Sequence, residues 1–284
     1  MAKLSRLVPT LLLLIVFLSS MPSETPSSNA ATVGSEIDYA ALMSNLNMTR
    51  VQEDLQKITG YGEPVWSRVT GYPGFYATAD YIANEFRKLG LLPIKEYYEI
   101  TVPIDHGAYV TVYSPEDVLL FNITAYPLWP NSVNPCPYKS PPEGDSLVYA
   151  GYGNMVELNN LTIEGSWVLM EFNSRWYWKN PVMLGAKGII FKEPSSSTRI
   201  EAEQKVLGIP YNVPRLYVRE DDAQILDELI ERYGIIKIHV ASNMQWEKKR
   251  VPNVTAVING TSQAKDEVVI AAYYDSFSIV PSLS

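Results

Sequence analysis

This chain of 284 residues is poor in the side chains that most enzymes use for chemistry. It has one cysteine, Cys136, and two histidines, His106 and His239. A lone cysteine excludes an internal disulfide framework and any zinc site built mainly on thiolates. Metal binding and general-base catalysis at neutral pH draw on histidine more than on any other side chain, and here there is little of it. Lys and Arg number 23 against 31 Asp and Glu, a net charge of −8, with no basic run. That balance argues against nucleic acid and against an anionic membrane surface as partners. There is no glycine-rich phosphate loop, and no tail serine has a histidine near it in sequence. Neither phosphate-loop nor serine–histidine chemistry is therefore expected. What remains is ordinary: 46% hydrophobic and 19% charged residues, enough for a real core in one large or two smaller domains.

Residues 1 to 31 read as a secretory leader. Lys3 and Arg6 supply the positive start, Leu7 to Leu18 an apolar run broken by Pro9, and Ser28-Asn29-Ala30 a small-x-small cleavage pattern. A spanning helix needs ~20 apolar residues, and this run is shorter. An uncleaved anchor is the alternative reading. No later segment is long enough to span, so the expectation is a secreted or cell-surface protein. Five Asn-x-Thr sequons, at Asn47, Asn122, Asn160, Asn253 and Asn259, agree with export and are expected to carry glycan.

The chain is organised around Gly165 to Phe191. Trp167 to Met170 and Gly188 to Phe191 are short apolar runs bounded by turn residues, the pattern of strands buried on both faces. Between them Asn180 is placed to cap a short helix with Pro181 at its first position. Small residues at Gly185, Ala186 and Gly188 allow close packing. Nothing in this stretch is chemically reactive, and it reads as structural core.

Upstream, Thr49-Arg-Val-Gln52 has the form of a capping box, with Gly60 as a stop. A second helix places Ala79, Ile82, Phe86 and Leu89 on one face, with Arg87 and Lys88 in its last turn and Gly90 after it. Strands are expected around Tyr97 to Val102 and over Ala108 to Tyr113, which alternates. A later helix, capped by Asp221 or Asp222, carries Ala223, Leu226, Leu229, Ile230 and Tyr233 as its apolar face and ends at Gly234. Ile235 to Val240 then reads as a strand holding His239 as a structural residue. His106, beside Asp105, reads as a loop residue, and a lone Asp-His pair is weak evidence for metal. Asn253 to Gly260 reads as a strand and turn, and Glu267 to Ser276 as a strongly apolar strand. Two aromatic loops stand out, Pro127 to Pro142 with Trp129, and Arg175-Trp-Tyr-Trp178. Trp129, Trp176 and Trp178 either form a docking surface or pack on one another or a neighbouring domain.

Four stretches in order, Gly144 to Gly153, Gly165 to Phe172, Gly185 to Phe191 and Ile209 to Tyr217, resemble a protease-associated domain. The resemblance covers residues 106 to 243. Such domains are usually non-catalytic lids or docking modules of exported peptidases. Ser67 to Phe75, Ala79 to Ala83 and Leu89 to Leu91 resemble the start of the zinc aminopeptidases of clan MH, peptidase family M twenty-eight. In many of these a protease-associated domain interrupts the peptidase domain after this segment. The tail is similar to the strand pair before that family's first metal motif, which reads Gly-Ala-His-Tyr-Asp-Ser. This chain reads Ala271-Ala-Tyr-Tyr-Asp-Ser276. The resemblance puts Tyr273 where the family has its first zinc-ligating histidine, and Asp275 where it has the aspartate that orients that histidine. A phenol with a pKa near 10 is a poor substitute for neutral imidazole. The remaining carboxylate and histidine positions of the family have no counterpart before Ser284.

The expected fold is α/β: a β-rich protease-associated domain inserted in a partial α/β zinc-aminopeptidase-like domain. The expected parts are a signal peptide at 1–31, a first aminopeptidase-like segment at 36–105, the inserted domain at 106–243 and an incomplete second segment at 244–284. The expected function is an exported aminopeptidase-like protein, non-catalytic as it stands, whose inserted domain docks peptide or protein. No catalytic or metal-ligating residue is assigned, and the motif at Tyr273 and Asp275 is degenerate. No cofactor is expected in this chain, and zinc only if a complete peptidase domain follows. Two alternatives stay open: the front portion of a zinc aminopeptidase whose catalytic residues lie beyond Ser284, and a structural subunit of an envelope or membrane assembly.

Overall fold

The computed structural model describes residues 38–61, 67–260 and 267–280. The leader expected over residues 1 to 31 lies outside them. The chain divides into two units, Met1–Asn47 and Met48–Ser284. Among the described residues the first unit holds helix α1 (Tyr39–Ser44), whose Ala41 N–H donates to the Asp38 carboxylate at 3.0 Å.

The second unit opens with α2 (Met48–Gly60) and α3 (Pro73–Lys88). Helix α2 starts one residue before the expected cap, Thr49. Pro73 stands at the head of α3, where a missing N–H is harmless. Its buried residues include Phe75, Ala79 and Ala83, one turn apart. This face is rotated from the expected one: Leu89 is exposed, and Ile82 and Phe86 are half-buried. The turn after α3 uses Gly90 at φ 77°, a conformation glycine adopts without strain.

Eight strands follow among the described residues. They are β1 (Ile94–Tyr113), β2 (Leu119–Pro127), β3 (Tyr138–Lys139), β4 (Asp145–Tyr149), β5 (Trp167–Glu171), β6 (Gly188–Lys192), β7 (Arg215–Val218) and β8 (Ile236–Thr255). They form one sheet in the order β1-β2-β7-β6-β5-β4-β8-β3, and β1 also pairs with β8. That extra pairing closes β1, β2, β7, β6, β5, β4 and β8 into a ring, with β3 attached to β8. Strands β4 to β7 are mutually parallel, and the other ladders are antiparallel.

Side chains alternate across the ring as a pleated strand requires. Ala108, Val110 and Val112 of β1, Trp167 and Leu169 of β5, and Ile236, Ile238 and Val240 of β8 share one core. Ala223 and Leu226 of α6 (Glu220–Tyr233) join it, with Leu229, Ile230 and Tyr233 packed alongside. The other side of β5 and β6 forms a second core with Val168, Met170, Ile189 and Phe191. Val182 of α4 (Lys179–Met183) and Ala202 of α5 (Arg199–Glu203) cover that core. Trp167 to Met170 is thus buried on both faces, as its unbroken apolar run predicts.

Two helix caps differ from expectation. The N-cap of α4 is Trp178, and the Asn180 amide instead donates to the Gly153 carbonyl at 2.8 Å. The N-cap of α6 is Arg219, which leaves Glu220, Asp221 and Asp222 in the first turn, where the helix dipole favours negative charge.

Beyond the ring, β1 and β8 continue together as a two-stranded ribbon from Ile94↔Thr255 to Asp105↔Met244. The register shifts between Asp105 and Ala108. Gly107 stands in that shift at φ 110°. His106 is therefore a strand residue beside a bulge rather than a loop residue.

The tail departs most from the sequence reading. Of the strand and turn expected over Asn253 to Gly260, the strand part is the end of β8, which stops at Thr255. The expected strand over Glu267 to Ser276 does not form. Val268 is 88% and Ile270 95% exposed. A β-prone run becomes a strand only when a ladder partner satisfies its backbone, and among the described residues no strand pairs with it.

Candidate functional site

The tail returns to the segment before α3 and docks on it. The Thr70 hydroxyl donates to the Asp275 carboxylate at 2.6 Å. The Arg68 N–H donates to the Ser276 hydroxyl oxygen at 2.8 Å, and the Ser276 N–H donates to the Arg68 carbonyl at 3.2 Å. The ring of Tyr274 stacks on Phe75 at 4.9 Å between centroids, and its hydroxyl donates to the Pro252 carbonyl. Burial pushes the Tyr274 phenol pKa up, so this donor keeps its proton. Burial also lowers the pKa of the Arg68 guanidinium, and the nearby Asp275 carboxylate offsets part of that. Ile279 packs with Val69, Tyr72 and Met244, and Val280 reaches the second core. Two stretches that resemble the peptidase frame, Ser67 to Phe75 and Tyr274 to Ser276, therefore meet in space although about 200 residues separate them.

Zinc needs about four ligands, with imidazole, thiolate or carboxylate donors. This strip offers a phenol and one carboxylate. Tyr273 is 85% exposed, and Asp275 accepts a hydrogen bond from the Thr70 hydroxyl. The histidines lie elsewhere. His106 Nε2 is 2.6 Å from a Glu247 carboxylate oxygen, and the His239 ring packs edgewise on Tyr113 at 5.1 Å. Asp105 accepts the Gly107 N–H at 2.8 Å, and burial raises its pKa, against the pull of His106. The donors present at the strip do not fit a zinc ion.

The three tryptophans have three different environments. Trp178 is 0% exposed and its indole N–H donates to the Gln204 carbonyl at 2.9 Å. It packs on Phe191 and Tyr211. Trp129 is half-buried and stacks on Phe277 at 6.0 Å. Trp176 is 41% exposed, with the Lys179 ammonium over its ring at 4.8 Å.

A residue that the sequence reading passed over ties these loops together. Arg215, at the start of β7, is buried. Its guanidinium donates to the Trp129 carbonyl at 2.5 Å and to the Lys205 carbonyl, and lies over the Trp178 ring at 5.5 Å. Burial lowers its pKa to about 10. Lys205 is buried too, against Phe172 and Phe191, and its ammonium donates to the Arg175 carbonyl at 3.1 Å and faces Glu201 at 3.3 Å. Burial lowers its pKa to about 8. An arginine inside the apolar run Val213 to Val218 was the available signal, because a buried charge requires fixed partners.

All five sequon asparagines are exposed: Asn47, Asn122, Asn160, Asn253 and Asn259. Among the described residues no helix is long and apolar enough to cross a membrane.

No protein-family model matches the chain. No curated protein sequence matches it. Solved structures do. A zinc aminopeptidase from Bacillus subtilis aligns with a TM-score of 0.51 and 16% identity, covering 80% of this chain and 51% of that one. A family M twenty-eight peptidase precursor from Shewanella amazonensis aligns with a TM-score of 0.46 and 16% identity, covering 81% and 58%. An aminopeptidase from an Aneurinibacillus species aligns with a TM-score of 0.44 and 14% identity, covering 80% and 53%. The first of these establishes the fold: the chain has an aminopeptidase-like α/β fold. The chain spans about half the length of the structures it matches.

Proposed function

We propose that this chain is an exported, aminopeptidase-like protein that is non-catalytic as it stands, and that its segment 106–243 is a protease-associated domain that docks a peptide or protein. One observation carries the reading. At the position of the metal motif stands an exposed phenol, Tyr273, and the neighbouring carboxylate of Asp275 is held by Thr70. That strip joins the tail to α3 as a packing element. The leader pattern and the five exposed sequon asparagines support export.

The docking surface is the edge where the parallel strands β5, β6 and β7 end, with Trp176 at its rim. Exposed aromatics with an amphipathic tip recur at protein interfaces. The test is Trp176→Ala. The account expects an unchanged unfolding transition and weaker peptide binding. Loss of folding, or binding that does not change, removes Trp176 from the docking surface.

A second reading is favoured by the bare run Val268 to Ile270. In it, the chain is the front portion of a longer zinc aminopeptidase, and the run pairs in a sheet completed by later residues. Coding DNA that continues past codon 284 into Pro-Gly-Ala and further carboxylates and a histidine supports that reading. A stop codon there, with a native mass to match, removes it.

A further inference from the structure

Strand β8 ends at Thr255, and the chain leaves it through Ala256, Val257, Ile258, Asn259 and Gly260, none of them in a helix or strand. Asn259 and Gly260 are both exposed. Among the described residues, neither the Asn259 side chain nor the Gly260 N–H makes a hydrogen bond. The space around Gly260 is open: beyond its chain neighbours, no atom lies within 4 Å of the position a Cβ would take. Asparagine is a thermolabile residue, because its side-chain Cγ lies within reach of the next residue's backbone nitrogen. A bulky next side chain, a hydrogen bond on that N–H or a pinned amide holds the reaction back. None of these restraints operates at Asn259, and glycine leaves the backbone free to bring the two atoms together.

The other asparagines are restrained in ways the structure makes explicit. Glycine follows asparagine nowhere else in the sequence. Serine, the next most permissive neighbour among the described residues, follows Asn131 and Asn173. Asn131 is buried, and its side-chain oxygen accepts the Leu207 N–H at 3.0 Å. Asn173 donates to the Ser196 carbonyl at 2.9 Å and accepts from the Ser197 hydroxyl at 2.8 Å. The Ser174 N–H that would attack it donates to the Phe172 carbonyl at 2.7 Å. Asn122 and Asn253 lie in strand ladders and precede the β-branched Ile123 and Val254. An aspartate can form the same ring, but after Asp275 the Ser276 N–H is held by the Arg68 carbonyl at 3.2 Å.

We propose that Asn259 is a site of spontaneous chemical modification, converting to aspartate and isoaspartate in the bare chain, and that a glycan at the same residue blocks the conversion. The Gly260 backbone nitrogen attacks Asn259 Cγ with its lone pair. A bond forms between them, the Cγ–Nδ2 bond breaks, and Nδ2 leaves as ammonia with the proton from Gly260. Water then opens the resulting succinimide. Opening at Cγ restores the normal backbone and leaves aspartate, and opening at the main-chain carbonyl carbon leaves isoaspartate. Either product adds one carboxylate to a chain whose net charge is already −8. A glycan is joined through Nδ2, the atom that must leave, so the sugar and the reaction exclude each other. The shielding rests on the export reading above; the reaction of the bare chain does not.

The test is incubation of the full chain, made in a host that adds no glycan, beside a Gly260→Ala variant in mildly alkaline buffer. Peptide mapping with detection of isoaspartate reads the conversion at each asparagine. The account expects Asn259 to convert ahead of every other described asparagine. Gly260→Ala puts a methyl group into open space at a residue whose φ is not in the left-handed region. Its unfolding midpoint therefore stays level while conversion slows severalfold. An Asn259 that keeps its amide, a faster conversion at Asn131 or Asn173, or an unchanged rate in Gly260→Ala overturns the proposal. The same map of protein from its native source reads the shield. Sugar on Asn259 and no isoaspartate there is the expected result. A bare, converted Asn259 removes the glycan from this site and leaves the reaction standing. Sugar-bearing chains that convert as fast as bare ones overturn the shielding.

Discussion

Thr70 and Asp275 are joined by a hydrogen bond of 2.6 Å across 205 residues of sequence. The bond fixes the tail to the start of α3 by a charge-assisted contact, stronger than a neutral one. Thr70→Val keeps the shape and removes the donor. Partial exposure keeps its cost modest, about 1 kcal/mol. Amide exchange over residues 273 to 280 is expected to quicken while the ring strands stay protected. Exchange that does not change there contradicts the docking of the tail on Thr70.

Arg215 is expected to be among the most sensitive positions for folding. Arg215→Met fills the volume but strands the buried carbonyls of Trp129 and Lys205, at a cost of about 2–4 kcal/mol. Trp176→Ala is expected to stay within about 0.5 kcal/mol of the parent, because the side chain is a surface one. Urea unfolding of both variants checks the contrast. Similar midpoints for the two would contradict the assignment of Arg215 as the tie between the aromatic loops.

Lys205 gives a pH dependence with a definite sign. Its folded pKa is lowered from 10.5 to about 8 by burial, against the pull of Glu201. Between those values the unfolded chain binds the extra proton, so stability rises with pH. The penalty is fully present below about pH 8 and is gone above 10.5. Its full size is on the order of 3 kcal/mol. Comparing wild type with Lys205→Met from pH 7 to 10.5 isolates it from other groups. The wild type is expected to gain relative to the variant as pH rises. A parallel pair of curves contradicts the reading.

How much of this was legible in the sequence depended on whether a feature is local. The alternation of Ala108, Val110 and Val112, and the unbroken run Trp167 to Met170, announced one-face and two-face burial, because burial imprints a period on the residues themselves. The face of α6 was legible for the same reason. The state of Val268 to Ile270 was not. Their β-propensity is local, but a ladder is a property of two segments. The caps at Trp178 and Arg219 were missed because neighbouring polar residues offered stronger local signals: Asn180 bonds Gly153 instead, and Asp221 and Asp222 fall in the first turn. At the candidate site, the family likeness pointed to Tyr273 and Asp275, but Thr70 as the partner of Asp275 is a tertiary fact. Arg215 was passed over, because its place in an apolar run does not name the carbonyls that meet it.

Export makes a chemical prediction. The side chains of Asn47, Asn122, Asn160, Asn253 and Asn259 are all exposed and accessible to a glycosyltransferase. Protein purified from its native source is expected to lose mass on enzymatic removal of N-glycans. A native mass equal to that of the bare polypeptide contradicts it.

The central claim is that Tyr274 to Ser276 is a packing element, and that Tyr273 and Asp275 are not a ligand set. Zinc titration of the native chain, with hydrolysis of an aminoacyl substrate followed alongside, tests it most directly. The account predicts no stoichiometric zinc and no hydrolysis, and the same result in Tyr273→His, because one imidazole and Asp275 supply only two of the ligands that zinc requires. Tight binding of one or two zinc ions per wild-type chain, with hydrolysis abolished by a chelator, would contradict it.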